Sequence, residues 1–240
     1  MSPKIFGTEH IIYMVISFAL TIVAVILLKK YCKSDRLKAL TVKICGAVML
    51  FTILINRLTA VIYFENERYF PYSLCATVSL VFGFLAVVCK KDSMPLHFIS
   101  YTAIISGLIP TIYPHYLNQG STIFFPPTLT SLFHHSLSFF LALLIFVLGY
   151  VKPDLKKWHA WPLGYCTFVV YGLFNVKILG QESMSINSPV IAGTPFNWFY
   201  MGLMFFAVYT VFLVTFDIVK NKKNCLLIVG FKNFINFFKK

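Results

Sequence analysis

The chain has 240 residues, of which 58% are hydrophobic, 18% aromatic and only 12% charged, whereas an ordinary soluble domain carries about 25% charged residues. Together with a mean hydropathy of +0.78, this composition excludes a soluble globular protein. The formal net charge of +13 does not indicate nucleic acid binding, because the sequence has no basic soluble module to hold a nucleic acid.

Seven apolar stretches follow one another along the chain. Crossing a bilayer as a helix takes about 20 mostly apolar residues. The expected spans are Ile11 to Leu28, Leu40 to Phe64, Tyr72 to Cys89, Pro95 to Tyr113, Thr128 to Val151, Trp161 to Gly180 and Asn197 to Val219. The sequence therefore predicts an all-α, polytopic membrane protein in which residues 1–219 form one bundle of seven transmembrane helices.

The basic residues alternate between the connections of these spans. Seventeen of the 21 Lys and Arg residues follow the first, third, fifth and seventh spans, and cytoplasmic connections are enriched in such residues. We therefore expect the N-terminus outside and the C-terminus in the cytoplasm. The expected location is the cell membrane, as a multi-pass protein of the bacterial plasma membrane, and the excess of Lys over Arg suits an AT-rich bacterial genome.

Residues 220–240 form a basic and apolar tail after the last span. Its apolar part, Cys225 to Phe238, is too short to cross the bilayer. Two interpretations stay open: a segment that lies in the inner membrane interface, or a frayed end.

Polar residues within the spans indicate where a functional site lies, because an ionisable group in hydrocarbon costs about 2.5 to 3.5 kcal/mol on insertion scales. Several share one depth in the outer half of the predicted bundle: Asn56, Arg57, Cys75, His134, His135, Asn175, Lys177 and Asn197. We predict a polar site there, with Arg57 and Lys177 facing a shared cavity. The alternatives are that the two cations snorkel to the headgroups and that the histidines bridge helices as structural residues.

Cys75 is the one cysteine expected in the outer half of the bundle. The other five belong to the cytoplasmic half: Cys32, Cys45, Cys89, Cys166 and Cys225. A thiol that shares a layer with imidazoles and a cation is where a nucleophile is expected, and the alternative is a small packing residue. No cofactor motif and no metal-type spacing is present, so we expect neither a cofactor nor a metal.

Two connections on the expected outer side are rich in turn-forming residues. These are Tyr113 to Pro127 and Gly180 to Pro195. Each is expected either to cap a cavity or to rest on the headgroups as an ordinary connection.

Short motifs that follow in order along the chain carry a family resemblance. They are Phe6-Gly7-Thr8-Glu9-His10, Pro71-Tyr72-Ser73-Leu74-Cys75, Tyr113-Pro114, His135-Ser136-Leu137, Asn175 with Gly180, and Gly193-Thr194-Pro195-Phe196-Asn197-Trp198-Phe199-Tyr200. On these motifs the chain resembles the YwaF-like bacterial integral membrane proteins, which are related to the animal transmembrane acyltransferase that remodels ether phospholipids. The resemblance implies that Cys75 is an acyl acceptor with His135 as its partner. Ser73 stands where the family has His.

Two classes of function follow. In the first, the protein is an enzyme of acyl transfer or acyl hydrolysis on a membrane lipid, in which Cys75 attacks an ester and His135 or His134 carries the proton. Arg57 or Lys177 then binds the phosphate, and Asn175 stabilises the oxyanion, with Asn56 and Asn197 in the same polar layer. In the second, the protein is a noncatalytic binding or transport protein for a lipid or small molecule, or a membrane scaffold.

Overall fold

The computed structural model describes residues 4–64, 70–114, 119–189, 193–221, 225 and 229. Within these residues the chain is all-α, as predicted, with seven α-helices and a short 3₁₀ turn at Leu155–Lys157. The helices are α1 (Thr8–Tyr31), α2 (Asp35–Phe64), α3 (Leu74–Val88), α4 (Met94–Ile112), α5 (Pro126–Val147), α6 (Ala160–Lys177) and α7 (Trp198–Asn221).

Five of the helices are long and apolar enough to cross a membrane, namely α1, α2, α4, α5 and α7. The expectation of a multi-pass membrane protein is therefore confirmed. Helix α3 has only 15 residues. Helix α6 has 18, and its last turn contains Asn175 and Lys177, which lower its hydropathy. The count of seven spans and their orientation stay predictions.

The helix bounds differ from the expected spans at two places that have physical causes. Helix α2 begins at Asp35 instead of Leu40, because an acidic residue in the first turn favours a helix start although it lowers hydropathy. Helix α5 ends at Val147 instead of Val151. Gly149 follows in the left-handed conformation, with φ of +64°, and this terminates the helix.

The tail prediction lies almost entirely outside the described residues. Of the segment Cys225 to Phe238, only Cys225 and Val229 are described. Helix α7 continues to Asn221, two residues beyond the expected end of the last span.

Polar contacts join three connections at one end of the bundle, which we call the lysine-rich end. Lys91 Nζ lies 2.9 Å from Asp35 Oδ1, and the Asp92 N–H donates to the carbonyl of Tyr150 at 2.9 Å. Lys157 Nζ lies 2.6 Å from Asp92 Oδ2. The α1–α2, α3–α4 and α5–α6 connections therefore meet at the same end.

Contacts at the opposite end join the start of α1 to the end of α4 and the segment before α5. The ring of His10 is fully buried, and its Nε2 donates to the carbonyl of Thr111 at 3.0 Å. Glu9 accepts a hydrogen bond from the Ile123 N–H at 3.0 Å. We call this the opposite end, and it is where the predicted site residues lie.

Helices α4 and α5 approach each other closely because of one glycine. A Cβ atom at Gly107 would lie 2.6 Å from the backbone nitrogen of Phe139 and 2.7 Å from the carbonyl oxygen of His135, which is closer than real contacts. Gly107 thus sets the position of the α5 turn that contains His135.

Candidate functional site

Cys75 lies in the first turn of α3, at the opposite end of the bundle. The helix is capped by Ser73, whose Oγ accepts a hydrogen bond from the Ala76 N–H at 3.3 Å. The first N–H groups of a helix lack intrahelical partners, and this end of the helix carries a partial positive charge. Backbone N–H groups of this turn are therefore available to an oxyanion that forms beside the Cys75 side chain.

The half-buried Cys75 lines a cavity of about 470 Å³. Helices α3, α4 and α7 and the segment 182–188 form its walls. Its lining is mainly apolar and includes Ile105, Ile109, Met201, Met204 and Phe205, and its polar lining residues include Thr102, Ser106, Glu182, Ser183, Ser185 and Ser188. We call it the Cys75 cavity. A mainly apolar lining that also contains several hydroxyls suits a ligand with an ester group and a hydrocarbon chain.

His135 is attached to the wall of this cavity through Ser106. Its Nδ1 lies 3.0 Å from the backbone carbonyl of Ser106, and a carbonyl can only accept, so Nδ1 carries the proton and Nε2 carries the lone pair. The Ser106 hydroxyl itself is buried and has no hydrogen-bond partner among the described residues. Ser106 thus orients the His135 imidazole through its backbone carbonyl, and it is itself a lining residue of the Cys75 cavity.

His134 is attached to α3 one turn beyond Cys75. Its Nδ1 lies 3.1 Å from Ser79 Oγ, and that hydroxyl also donates to the backbone carbonyl of Cys75 at 3.2 Å. The two imidazole rings are 4.0 Å apart and both are buried. The structure thus places both histidines behind the Cys75 cavity, beside its wall, although neither lines it.

Residues 182–188 of the connection between α6 and α7 form a wall of the cavity, which favours the capping interpretation of Gly180 to Pro195. Ser183 Oγ donates to the carbonyl of Tyr72 at 2.7 Å and accepts from Asn175 Nδ2 at 3.0 Å. Met184 and Ser185 both have left-handed backbone, with φ of 54° and 56°, a conformation that costs free energy in residues other than glycine. Buried contacts maintain this turn over the cavity.

Asn175 and Asn197 both hold local structure. Asn175 is buried and its amide is directed to Ser183. Asn197 Oδ1 accepts the Phe199 N–H at 3.0 Å, which is the contact of a helix-capping residue at the start of α7. A contact of either amide with substrate stays a prediction.

Asn56 and Arg57 belong to α2, and they lie on a different side of α3 from the Cys75 cavity. Asn56 is buried, and its Nδ2 donates to Ser131 Oγ at 2.9 Å and to Thr130 Oγ1 at 3.0 Å. Arg57 is half-buried and its Nη2 donates to Asn56 Oδ1 at 2.7 Å. It lines a small cavity of about 270 Å³, together with residues that include Leu80. Arg57 is thus separated from the Cys75 cavity.

The structure does not bring Arg57 and Lys177 into a shared cavity. Lys177 is exposed in the last turn of α6 and belongs to the wall of neither cavity. Its exposure agrees with the alternative that it extends toward the headgroups.

Three hydroxyl residues of the Cys75 cavity were not predicted as site residues from the sequence, namely Thr102, Ser106 and Ser183. A hydroxyl residue in an apolar span is a common packing residue, so it gives no separate signal.

The comparisons with known proteins add the family. The model of the TMEM164 family matches residues 5–217, and this is the family of the animal ether-lipid acyltransferase, so the expected kinship with that enzyme is confirmed. The YwaF-like relationship stays a prediction. The searches of curated proteins and of solved structures found no match. With nearly its whole length matched, the chain belongs to the TMEM164 family.

Proposed function

We propose that this protein is an integral membrane acyltransferase or acyl hydrolase that acts on a membrane lipid, with Cys75 as the acyl acceptor. One observation carries the proposal: a cysteine at a helix N-terminus lines a mainly apolar cavity of about 470 Å³ in a chain whose family is known for acyl transfer.

The proposed reaction begins at the Cys75 sulfur. Sγ attacks the carbonyl carbon of an acyl ester, the thiol proton passes to an imidazole, and a tetrahedral oxyanion forms. Cleavage of the ester C–O bond returns that proton to the leaving alkoxide and yields a lysolipid and an acyl thioester on Cys75. A lipid hydroxyl or water then attacks the thioester, which completes transfer or hydrolysis and restores the thiol.

His135 is the proposed base of this reaction, with His134 as the competing candidate. The hydrogen bond to the Ser106 carbonyl gives His135 the tautomer in which Nε2 accepts a proton, and orientation of a base by a second group is a usual part of such sites. The proposed donors to the oxyanion are the backbone N–H groups of the first turn of α3 and the Ser106 hydroxyl.

The proposed location of the reaction follows from the charge distribution. With the lysine-rich end in the cytoplasm, the Cys75 cavity faces the outer leaflet of the bacterial plasma membrane. A cysteine introduced at Lys156, in a background without other cysteines, should react with a membrane-impermeant maleimide only after permeabilisation. Reaction in intact cells contradicts this orientation.

The test of the chemistry is acyl labelling. Purified protein is incubated with a phospholipid that has an alkyne at the end of one acyl chain, and the label is detected after fluorophore coupling. We expect label that hydroxylamine releases, as it does thioesters, on the wild type and on Cys166→Ser, a control at an exposed cysteine. Cys75→Ser should carry none. Label that persists in Cys75→Ser, or no label on folded wild type, contradicts the proposal and favours a noncatalytic lipid-binding protein.

A further inference from the structure

Arg57 places a half-buried positive charge on α2 that no carboxylate among the described residues pairs. Its Nε and Nη2 both donate to the Oδ1 of Asn56, which is a neutral acceptor and leaves three of the five guanidinium N–H donors. The side chain lies seven residues before the end of α2, hence about 10 Å from that end at 1.5 Å per residue.

The cavity at Arg57 adjoins a long groove. Its wall shares Phe70, Pro71 and Leu80 with a groove of about 540 Å³ between α3 and α6. The groove is bordered along α6 from Ala160 to Tyr171, which corresponds to about 16 Å of helix. This length equals roughly half of the 30 Å hydrocarbon core of a bilayer, the depth that one leaflet occupies.

Among the described residues that line the groove, every side-chain hydroxyl already has a hydrogen-bond acceptor. The three hydroxyls of the groove are those of Thr77, Thr167 and Tyr171. Thr77 and Tyr171 donate to the carbonyl of Pro71 at 3.2 Å and 2.8 Å, and Thr167 donates to the carbonyl of Leu163 at 3.2 Å. The surface that remains for an occupant is therefore apolar, with a cation at one end.

We propose that Arg57 and this groove bind one phospholipid, with its phosphate on the guanidinium and one acyl chain between α3 and α6. The occupant must pair a negative charge with a hydrocarbon chain about one leaflet long, and a phospholipid has both. A free phosphate lacks the chain, and a neutral diacylglycerol lacks the charge.

This lipid is distinct from the substrate proposed for Cys75. Leu80 follows Cys75 by five residues, so the two side chains lie roughly 140° apart around α3. The groove and the Cys75 cavity share no lining residue. The bound phospholipid thus lies on the other side of α3 from the thiol, as a lipid of the bundle surface.

The test uses the full chain with Cys75→Ser, so that acyl transfer to the thiol does not contribute to the signal. Protein in nanodiscs is irradiated with a phosphatidylglycerol that carries a diazirine on one acyl chain, and the crosslinked peptides are mapped. We expect crosslinks in α3 and α6. Arg57→Gln should reduce them about tenfold, since a charge-assisted contact is lost, while Lys177→Gln, an exposed cation outside the groove, should leave them unchanged.

Two further arms separate the alternatives. Leu163→Trp fills the groove at a position that is already 65% exposed, so it should abolish the crosslinks with Arg57 intact and with folding preserved. Free glycerol phosphate in excess should not reduce the crosslinks of the phospholipid. A diazirine diacylglycerol, which has no charge for Arg57 to bind, should crosslink weakly to the Cys75→Ser protein, and Arg57→Gln should not change that yield. Crosslinks that are unaffected by Arg57→Gln, displaced by glycerol phosphate, or mapped outside α3 and α6 overturn the proposal.

Discussion

At the scale of single residues, some buried polar groups in this bundle are paired across helices, and Asn56 is the clearest case. Its amide joins α2 to two hydroxyls of α5 and also accepts from Arg57. Removing one partner of a buried hydrogen bond typically costs about 1–3 kcal/mol. We expect Asn56→Ala to lower the thermal unfolding midpoint in detergent by several degrees. Asn187→Ala, at an exposed position, should change it little, and equal midpoints for the two variants would contradict this role.

His135 is the residue whose role in the chemistry has the clearest kinetic consequence. A positioned general base contributes roughly 10²–10⁴-fold to rate, so His135→Ala should slow acyl labelling of Cys75 by about that factor. His159→Ala, at an exposed histidine near the lysine-rich end, is the control and should label normally. His135→Ala labelling at the wild-type rate, with His134→Ala slow, assigns the base to His134 instead.

At the scale of helices, the α4–α5 contact determines where the two histidines lie. A methyl group at Gly107 collides with backbone atoms of α5 that cannot rotate away, so Gly107→Ala must separate the helices, at a cost of about 1–3 kcal/mol. We expect a lower unfolding midpoint together with slower labelling of Cys75. The control is Gly180→Asn, because nothing lies within 4 Å of a Cβ there and Asn tolerates its positive φ.

The bounds of the helices also show how much of the fold the sequence predicts. The apolar stretches predict the seven helices to within a few residues, because hydropathy is a local property of the chain. The distribution of residues around each helix did not separate Arg57 from Cys75, since the two lie at a similar depth. Only the rotation of α2 and α3 in the bundle directs them to different cavities.

At the scale of the whole molecule, Asp92 links the α3–α4 connection to the α5–α6 connection at the lysine-rich end. Partial burial raises the pKa of its carboxyl, but hydrogen bonds from Lys157, the Lys152 N–H and His97 outweigh this effect and lower the pKa to about 2. A carboxyl whose pKa is lowered on folding stabilises the protein above its unfolded pKa, near 4, and this stabilisation disappears as the pH falls toward 2.

The corresponding prediction concerns Asp92→Asn, since Asn also tolerates the φ of +61° at this position. At pH 7 the variant should be less stable than the wild type by about 1 kcal/mol, a modest value because the carboxyl is 38% exposed. The difference in unfolding midpoint should narrow from pH 5 to pH 3. A difference that is constant over this range would show that the charge of Asp92 contributes nothing.

The sequence by itself determined the membrane class, the all-α fold, the approximate helices and the candidate nucleophile, because these follow from hydropathy, charge and residue type along the chain. It also indicated that the polar residues share a layer. The tertiary structure decided which of them meet: it joined Cys75 to Ser106 in one cavity, placed His134 and His135 behind its wall, and left Lys177 on the surface. Depth follows from position along a helix, whereas neighbours depend on how the helices rotate and pack, and that is set by contacts between residues distant in sequence.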